Sequence, residues 1–313
     1  MSIPKSILVT GATGFVGAYL VHRLVRGKDK IHVILRKNSD TWRIRDILKR
    51  LNLHYADLTK FQEVKRIVKK IKPQVIYHLA TYGAYPFQKD PKKIFQTNVL
   101  GTLNFLNVCA EIGFDVFINT GSSSEYGTKL KPMSEKDLLE PNTYYALAKA
   151  SQTLLCQYLA RENNLPIVTL RLFSVYGPYE ESSRLVPVLI NNCLKGNDLS
   201  LASPKTARDF IFVDDVVSAY LRAARLPRLA GHIFNIGTGK QSSLKDVVSA
   251  VVKITGAKVK QNWGTMPGRP FDTNTWLADI SKTKKMLNWQ PKYNLKAGLK
   301  KTVNWFKKNS HLY

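Results

Sequence analysis

The stretch ILVTGATGFVG, residues 7–17, decides how the rest of the chain reads. Ile7 to Thr10 are mostly β-prone and run into Gly11, Gly14 and Gly17, after which residues 18–26 are amphipathic. The order is strand, glycine-rich turn, helix. The spacing is G-x-x-G-x-x-G, where the dinucleotide fingerprint proper is G-x-G-x-x-G, but the physics is shared. Gly11 allows a tight turn, Gly14 lets backbone N–H groups approach a pyrophosphate, and Gly17 lets the helix pack on the strand. The helix then presents unpaired N–H groups and the positive end of its dipole to the phosphates. A plain βα turn also collects glycine; what favours a nucleotide is the position at the first strand of the chain.

At 313 residues and 44% hydrophobic, the chain suffices for one large α/β domain and a smaller one. No apolar run reaches the roughly 18–20 residues that a membrane span needs. The opening MSIPKSILVTG enters the first strand at once, so no signal peptide is expected. Cys109, Cys156 and Cys193 are odd in number and widely spaced. They fit neither a disulfide framework nor a metal site, and a reduced, cytoplasmic setting is expected. The six histidines show no ligand spacing, and His78, ending a predicted strand, suits a core or cofactor-adjacent role; no metal is expected. The net charge of +26 admits a nucleic-acid partner, an anionic membrane surface or a lysine-rich solvated surface. Because the lysines are scattered, the solvated surface is the preferred reading, with the charge also attracting anionic substrates.

Strand and helix alternate along the chain. Strands are expected at 31–36, 53–57, 74–80, 115–127 (opening into a serine-rich loop) and 166–178, with helices at 60–71, 91–112 and 142–163. Such alternation specifies an α/β fold with a doubly wound parallel sheet. From about Ser174 the pattern loosens into a helix near 185–194 and strand-like 210–213 and 232–237, then two or three helices in 243–308. The expected division is a dinucleotide-binding domain of 1–173 plus about 206–236, and a smaller C-terminal α/β substrate lobe of about 174–205 plus 237–313.

Two positions speak to chemistry without any further context. About 20 residues past the glycines, an Asp or Glu would bind an adenosine ribose and repel a 2′-phosphate. This chain has Arg36, Lys37, Asn38 and Ser39, with Arg43 beyond, so NADP is expected over NAD. In PNTYYALAK, residues 141–149, Tyr145 and Lys149 lie one helical turn apart on one face. A phenol with its ordinary pKa near 10 is a poor proton exchanger at neutral pH, and an ammonium held beside it favours the phenolate. A Y-x-x-x-K pair is common by chance, and Tyr144 is a decoy.

The context comes from a resemblance. TGATGFVG, YHLA, Asn98, SSSEYG, the Tyr145/Lys149 pair, RLFSVYGP, RDFIFVDD and FNIGTG stand in the order of the extended short-chain dehydrogenase/reductases. Within them the chain resembles the NAD(P)-dependent nucleotide-sugar epimerase/dehydratase/reductase group, over essentially its whole length. The resemblance implies a Rossmann domain, a Ser/Thr–Tyr–Lys site and a diphosphate-linked sugar held against the C-terminal lobe. Counting back four from Tyr126 places the hydroxyl at Ser122, with Ser123 as a substitute. The group's 4,6-dehydratases carry a glutamate two residues before that tyrosine; here that position is Ser124, and the acid, Glu125, comes one residue later, where a strand-like loop reverses the side chain. That departure argues against dehydration, but a one-residue gap restores the acid, so Glu125 stands beside Ser122 and Ser123 as a catalytic candidate.

The remaining assignments also follow from the resemblance. Around the cofactor are expected Gly11, Thr13, Gly14, Phe15, Val16 and Gly17 on the phosphates; Arg36, Asn38, Ser39, Asp57 and Leu58 near the adenosine; and Leu79, Ala80, Thr81, Asn98, Tyr145, Lys149, Phe173 and Val175 toward the nicotinamide. The substrate is assigned Tyr82, Ser122, Ser123, Ser174 (where the group often has Asn) and Leu185, with Trp263 and Phe271 as possible flanks. Arg208 and Arg269 are assigned to its diphosphate, since a guanidinium binds phosphate oxygens in pairs. The expected activity is 4-keto reduction or C4 epimerisation of a nucleotide-diphosphate sugar, with a 4,6-dehydratase and a non-catalytic cofactor-binding protein with a basic surface as alternatives. The group tends to form homodimers through two helices, here 91–112 and 142–163.

Overall fold

The computed structural model describes residues 5–226, 229–268 and 273–313. In chain order, β1 (Ser6–Thr10) leads into α1 (Phe15–Leu24), β2 (Lys30–Leu35), β3 (Asn52–Tyr55), α2 (Phe61–Ile71) and β4 (Val75–His78). A long helical stretch follows in three parts: α3 (Pro91–Phe95), a π-turn (Gln96–Leu100) and α4 (Gly101–Ile112). Next come β5 (Val116–Ser122), a 3-10 turn (Ser123–Tyr126), α5 (Tyr144–Glu162) and β6 (Ile167–Leu172). Then follow β7 (Ser174–Tyr176), α6 (Leu185–Lys195), β8 (Leu199–Leu201), β9 (Ala207–Arg208), β10 (Phe210–Phe212), α7 (Val213–Ala223) and β11 (Ile233–Ile236). The last elements are β12 (Ser242–Ser243), α8 (Leu244–Thr255), β13 (Gln261–Trp263), α9 (Ser281–Leu287) and α10 (Leu295–Lys308).

The chain divides into two compact units. One comprises residues through Gly127, Leu138–Arg171 and Val217–Phe234; the other comprises Thr128–Asp137, Leu172–Val216 and Asn235–Tyr313. The first is built on a seven-stranded sheet of order β11-β6-β5-β4-β1-β2-β3. β1 runs parallel to both neighbours, Leu8 pairing with His32 of β2 and Ile76 of β4, and β4 continues the pattern with Ile76 opposite Phe117. Chain direction through the sheet reverses between β1 and β4, and crevices at such switch points receive ligands in open α/β sheets. Helices cover the central strands, so β1, β4 and β5 are almost wholly buried and read as near-continuous apolar runs, whereas the edge strand β3 (NLHY) is half-exposed. Leu8, Ile76, Phe105, Phe117 and Val64 meet in one core cluster.

Three elements differ from the expectation. The strand at 166–178 is two, β6 in the seven-stranded sheet and β7 paired with β10. The helix at 91–112 is present, but a π-turn centred on Asn98 widens it, because the Asn98 side chain is drawn out to bond the loop after β4. The strand at 210–213 ends at Phe212, and Val213 instead opens α7. Its signal was present in the spacing of Val213, Val216, Val217 and Tyr220, all buried, which is a helical period following directly on an apolar run.

In the second unit β7 pairs in parallel with β10, β9 antiparallel with β12, and β8 in parallel with β13. After β7 the chain buries Glu180, whose Oε1 lies 3.9 Å from Arg184 and whose Oε2 has no hydrogen-bond partner among the described residues. Burial raises this carboxyl to about 8, against the pull of Arg184 and the Gly177 backbone. Folded, it keeps its proton until about pH 8; unfolded, it ionises near 4.5. The folded state therefore binds more protons in that window, and stability falls as pH rises through it. Glu180→Gln is expected to raise the melting temperature at pH 8 by roughly 2–6 °C and leave it unchanged near pH 4.5, read by thermal unfolding at both values.

Candidate active site

The glycine turn is built as its spacing requires. Gly11 has φ +72°, and a Cβ there would lie 2.6 Å from the Ala80 nitrogen, so β1 and the end of β4 approach to backbone contact. A Cβ on Gly17 would stand 2.1 Å from the Gly11 carbonyl oxygen. Gly14 accepts from Ala18 as the first residue of the helical ladder, and the added Cβ would meet only the Gly11 carbonyl oxygen, at 3.4 Å. α1 carries no acidic residue in its first turn, leaving orphan N–H groups at its start. A bare turn leading into an uncapped helix N-terminus fits a dinucleotide pyrophosphate.

A buried hydrogen-bonded chain ties this turn to the neighbouring elements. Thr10 Oγ1 accepts from the Ala80 N–H at 3.2 Å and lies 2.8 Å from His78 Nδ1. On the other side of the ring, Nε2 is 2.9 Å from Thr102 Oγ1, which donates to the Asn98 carbonyl at 2.7 Å. Each hydroxyl has one proton, so the chain is ordered: Thr10 donates to Nδ1, and Nε2–H donates to Thr102. Burial pushes His78 down to about 3, helped by the charge of Lys149, and the ring is neutral throughout the physiological range. Asn98, fully buried, in turn accepts from Tyr82 N–H at 2.9 Å and the Thr81 hydroxyl at 3.0 Å. The loop 79–83 is thereby fixed between the glycine turn and α5, for a Cβ on Gly83 would lie 3.3 Å from the Tyr145 ring.

α5 begins at a Thr143 cap that accepts from the Ala146 N–H at 3.0 Å, and it presents Tyr145 and Lys149 one turn apart. Tyr145 is half-buried, whereas Tyr144 is 60% exposed. Lys149 is 2% exposed. Its ammonium donates to the Thr120 carbonyl and, at 2.6 Å, to Gln152 Oε1. Gln152 passes the constraint to Asn119, at 2.8 Å, and Asn119 to Thr169. Burial lowers the Lys149 pKa to about 8, with Glu125 the larger of the two opposing influences. The Thr120 hydroxyl lies 2.6 Å from that of Tyr220 on α7, a fully buried phenol near Tyr145 that burial holds well above the usual tyrosine range.

Ser122, at the end of β5, has its hydroxyl 2.8 Å from that of Ser124 and is partly exposed, while Ser123 is buried. Glu125, expected as a catalytic candidate, is instead wholly enclosed. Its Oε1 accepts from the Ser122 N–H at 2.7 Å and the Thr153 hydroxyl at 3.0 Å, and Oε2 pairs with Arg171 Nε at 2.7 Å. It forms the reciprocal half of a capping box on the 3-10 turn.

The other expected residues are distributed as follows. Arg36 and Asn38 are exposed in a turn closed by the Arg36 N–H on the Ser39 hydroxyl at 3.0 Å, but Arg43 is buried and stacked 4.3 Å over Trp42. Asp57 Oδ1 caps its own turn through Thr59. Leu58, Leu79 and Phe15 are buried; Thr13, Val16, Ala80 and Tyr82 are partly exposed, and Thr81 is exposed. In the second unit Phe173 is buried while Ser174, Val175, Leu185 and Trp263 are half-exposed. Arg208 lies 5.1 Å over the Trp276 ring and donates to the Ala207 and Thr273 carbonyls. Arg269 and Phe271 lie outside the described residues.

Sequence reasoning missed the groups behind the site. Gln152, Thr153 and Arg171 carried a signal, since they are polar residues clustered with Lys149 and Thr169 on faces that the helix and strand otherwise bury. Asp209, fully buried, was also missed. Its carboxylate accepts from Thr238 N–H (2.7 Å), Thr238 Oγ1 (2.6 Å), Gly239 N–H (3.0 Å) and Ala278 N–H (3.2 Å), clamping the 237–239 turn beside Arg208.

A bare glycine turn and an uncapped helix N-terminus at the switch point of a parallel sheet have the geometry of a dinucleotide-binding α/β protein. Residues 7–237 match the family model described as the NAD dependent epimerase/dehydratase family. The chain is 30% identical over 317 residues to a UDP-glucuronate 4-epimerase of Thermodesulfobacterium geofontis, covering 97% of each. Its fold is similar to a UDP-glucose 4-epimerase of Thermotoga maritima solved with UDP-glucose, with TM-score 0.90 and 27% identity over 97% of this chain and 99% of that one. A UDP-glucuronic acid 4-epimerase of Bacillus cereus, solved with UDP-glucuronic acid and NAD, gives TM-score 0.85 and 29% identity over 98% and 99%. The chain belongs to the NAD dependent epimerase/dehydratase family.

The contact of Gly17 with the Gly11 carbonyl leaves no room for a methyl group. Gly17→Ala is expected to cost about 1–3 kcal/mol in denaturant unfolding and to abolish thermal stabilisation by NAD or NADP.

Proposed function

We propose that this protein is an NAD(P)-dependent oxidoreductase or epimerase acting at C4 of a nucleotide-diphosphate sugar, with Ser122, Tyr145 and Lys149 as its reacting site. The carrying observation is the buried Lys149 ammonium, pinned to the carbonyl of Thr120 two residues before Ser122 and one helical turn from the accessible Tyr145. Residues 11–17 would hold the pyrophosphate, and Asn98 and Lys149 the ribose end nearest the site. When bound, the nicotinamide supplies or accepts the hydride. Tyr145 takes up or returns the hydroxyl proton of the sugar, Lys149 stabilises negative charge on that phenol oxygen, and Ser122 donates a hydrogen bond to the sugar oxygen as it becomes a carbonyl.

NADP is the proposed preferred cofactor, supported by the exposed Arg36, Lys37 and Asn38 where an acidic residue would repel a 2′-phosphate. Arg208 and Arg269 are proposed for the substrate diphosphate, with Ser174 and Leu185 toward the sugar and base; Ser174, Leu185 and Arg269 fall in the proposed substrate lobe of about 174–205 plus 237–313, and Arg208 just outside it. Glu125, with both oxygens bonded inside the protein, supports a holding role over that of a dehydratase base. A homodimer is proposed through α5, whose Tyr144, Leu147, Leu154 and Tyr158 form an exposed apolar stripe. Nucleic acid is not a proposed partner, and among the described residues no helix is long and apolar enough to cross a membrane.

Tyr145→Phe is expected to lower turnover of the best substrate in a panel of nucleotide-diphosphate sugars by roughly two to four orders of magnitude while cofactor binding persists. Wild-type turnover in that variant would end this reading. NADP is expected to raise the melting temperature more than NAD at equal concentration; the reverse order would overturn the cofactor preference. Leu154→Glu is expected to convert a dimer to monomers in sedimentation experiments.

A further inference from the structure

The Tyr145/Lys149 pair requires a charged lysine, yet Lys149 is 2% exposed, where an ammonium loses nearly all its hydration. Something must compensate. Its hydrogen-bond acceptors, the Thr120 carbonyl and Gln152, are both neutral.

The groups around Lys149 can be sorted by the charge they carry near neutrality. On α5 itself, Cys156 is pushed up to about 12 by burial and stays a thiol. His78 from β4 is neutral, and Tyr220 from α7 keeps its proton. Tyr145 is the proton-exchanging partner itself. That leaves one ion pair in this cluster: Glu125 on the 3-10 turn and Arg171 on β6, 2.7 Å apart and exposed by 0% and 2%. The glutamate reaches toward α5, accepting from Thr153, which lies one turn past Lys149 on the same face. Glu125 and Lys149 also grip the same strand end, at the Ser122 N–H and the Thr120 carbonyl.

We propose that Glu125 is a positioning residue: its enclosed carboxylate fixes the Ser122 backbone and the α5 face, and supplies the negative charge that keeps Lys149 an ammonium. Arg171 balances and orients that carboxylate, stacking 4.7 Å over Tyr126 as it does so. A charged pair inside a core is weak as a stabilising device, and replacing it by apolar residues is often harmless to folding. Its value here is electrostatic. This extends the functional reading above, but the test does not depend on turnover.

The Lys149 titration can be followed by NMR of protein labelled at lysine Cε, the resonance being assigned by its loss in Lys149→Met. Wild type should titrate at about 8. Glu125→Gln keeps the size and acceptor of the side chain but not its charge, and should lower that value by about 1–3 units. Glu125→Asp keeps the charge and should titrate near wild type. Arg171→Met removes the competing cation and should move the titration upward. The double variant Glu125→Gln/Arg171→Met leaves neither half of the Glu125–Arg171 pair without its partner, and it decides the matter should Glu125→Gln alone fail to fold; its Lys149 should titrate below wild type. A folded double variant in which Lys149 titrates as in wild type overturns the proposal, as does a normal titration in Glu125→Gln combined with a shifted one in Glu125→Asp, the pattern of a purely structural role. In active enzyme the alkaline limb of kcat/KM should move with the titration. Failure of the wild type to turn over any nucleotide sugar would instead remove the functional reading and leave the titration result standing.

Discussion

A cation without water must be held by something else, and the first unit is arranged around that requirement. Lys149 sits on α5 at the point where the helix passes the end of β5, and its ammonium closes on the Thr120 carbonyl and the Gln152 amide. β5 can present that carbonyl because its neighbours β4 and β6 hold it in the middle of the sheet. The same strand end delivers Ser122, so the lysine's anchor and the serine's position are one structural fact. Burial makes the charge responsive to its neighbours, which the proposed proton transfer at Tyr145 would need.

A second constraint is the close approach of β1 and β4 at the switch in strand order. It is possible only because Gly11 has no side chain and because Thr10 and His78 satisfy each other inside the contact. From there the ordered chain through Thr102 and Asn98 fixes the loop that packs on Tyr145. The glycine turn is thus joined by hydrogen bonds of single direction to the loop 79–83, which packs against the Tyr145 ring. That rigidity matters because misplacing a reacting group by an ångström is costly in rate. The π-turn at Asn98 belongs to this arrangement: the helix widens where its side chain is needed elsewhere.

Much of this was legible in the sequence, for identifiable reasons. Gly11 and Gly17 announced a backbone contact that a Cβ forbids, apolar runs such as VIYH announced strands buried on both faces, and the four-residue spacing of Tyr145 and Lys149 survives as one turn of α5. What could not be read was the inward-facing polar layer. Hydrophobic periodicity locates faces, but it does not say which buried polar groups meet across elements, so Gln152, Thr153 and Arg171 passed unnoticed. Glu125 shows the limit most clearly. A one-residue offset in a serine-rich turn left its direction open, and only the fold reveals a carboxylate turned into the core. α7 was overlooked because the apolar run before it resembled a longer strand.

The central claim is geometric, and a crystal structure with bound NADP and a nucleotide-diphosphate sugar tests it most directly. The account predicts pyrophosphate oxygens on the backbone N–H groups following Gly14, and the Tyr145 hydroxyl within about 3 Å of the reacting sugar oxygen. A phenol turned away from both ligands, with the sugar carbon addressed by other side chains, would contradict it.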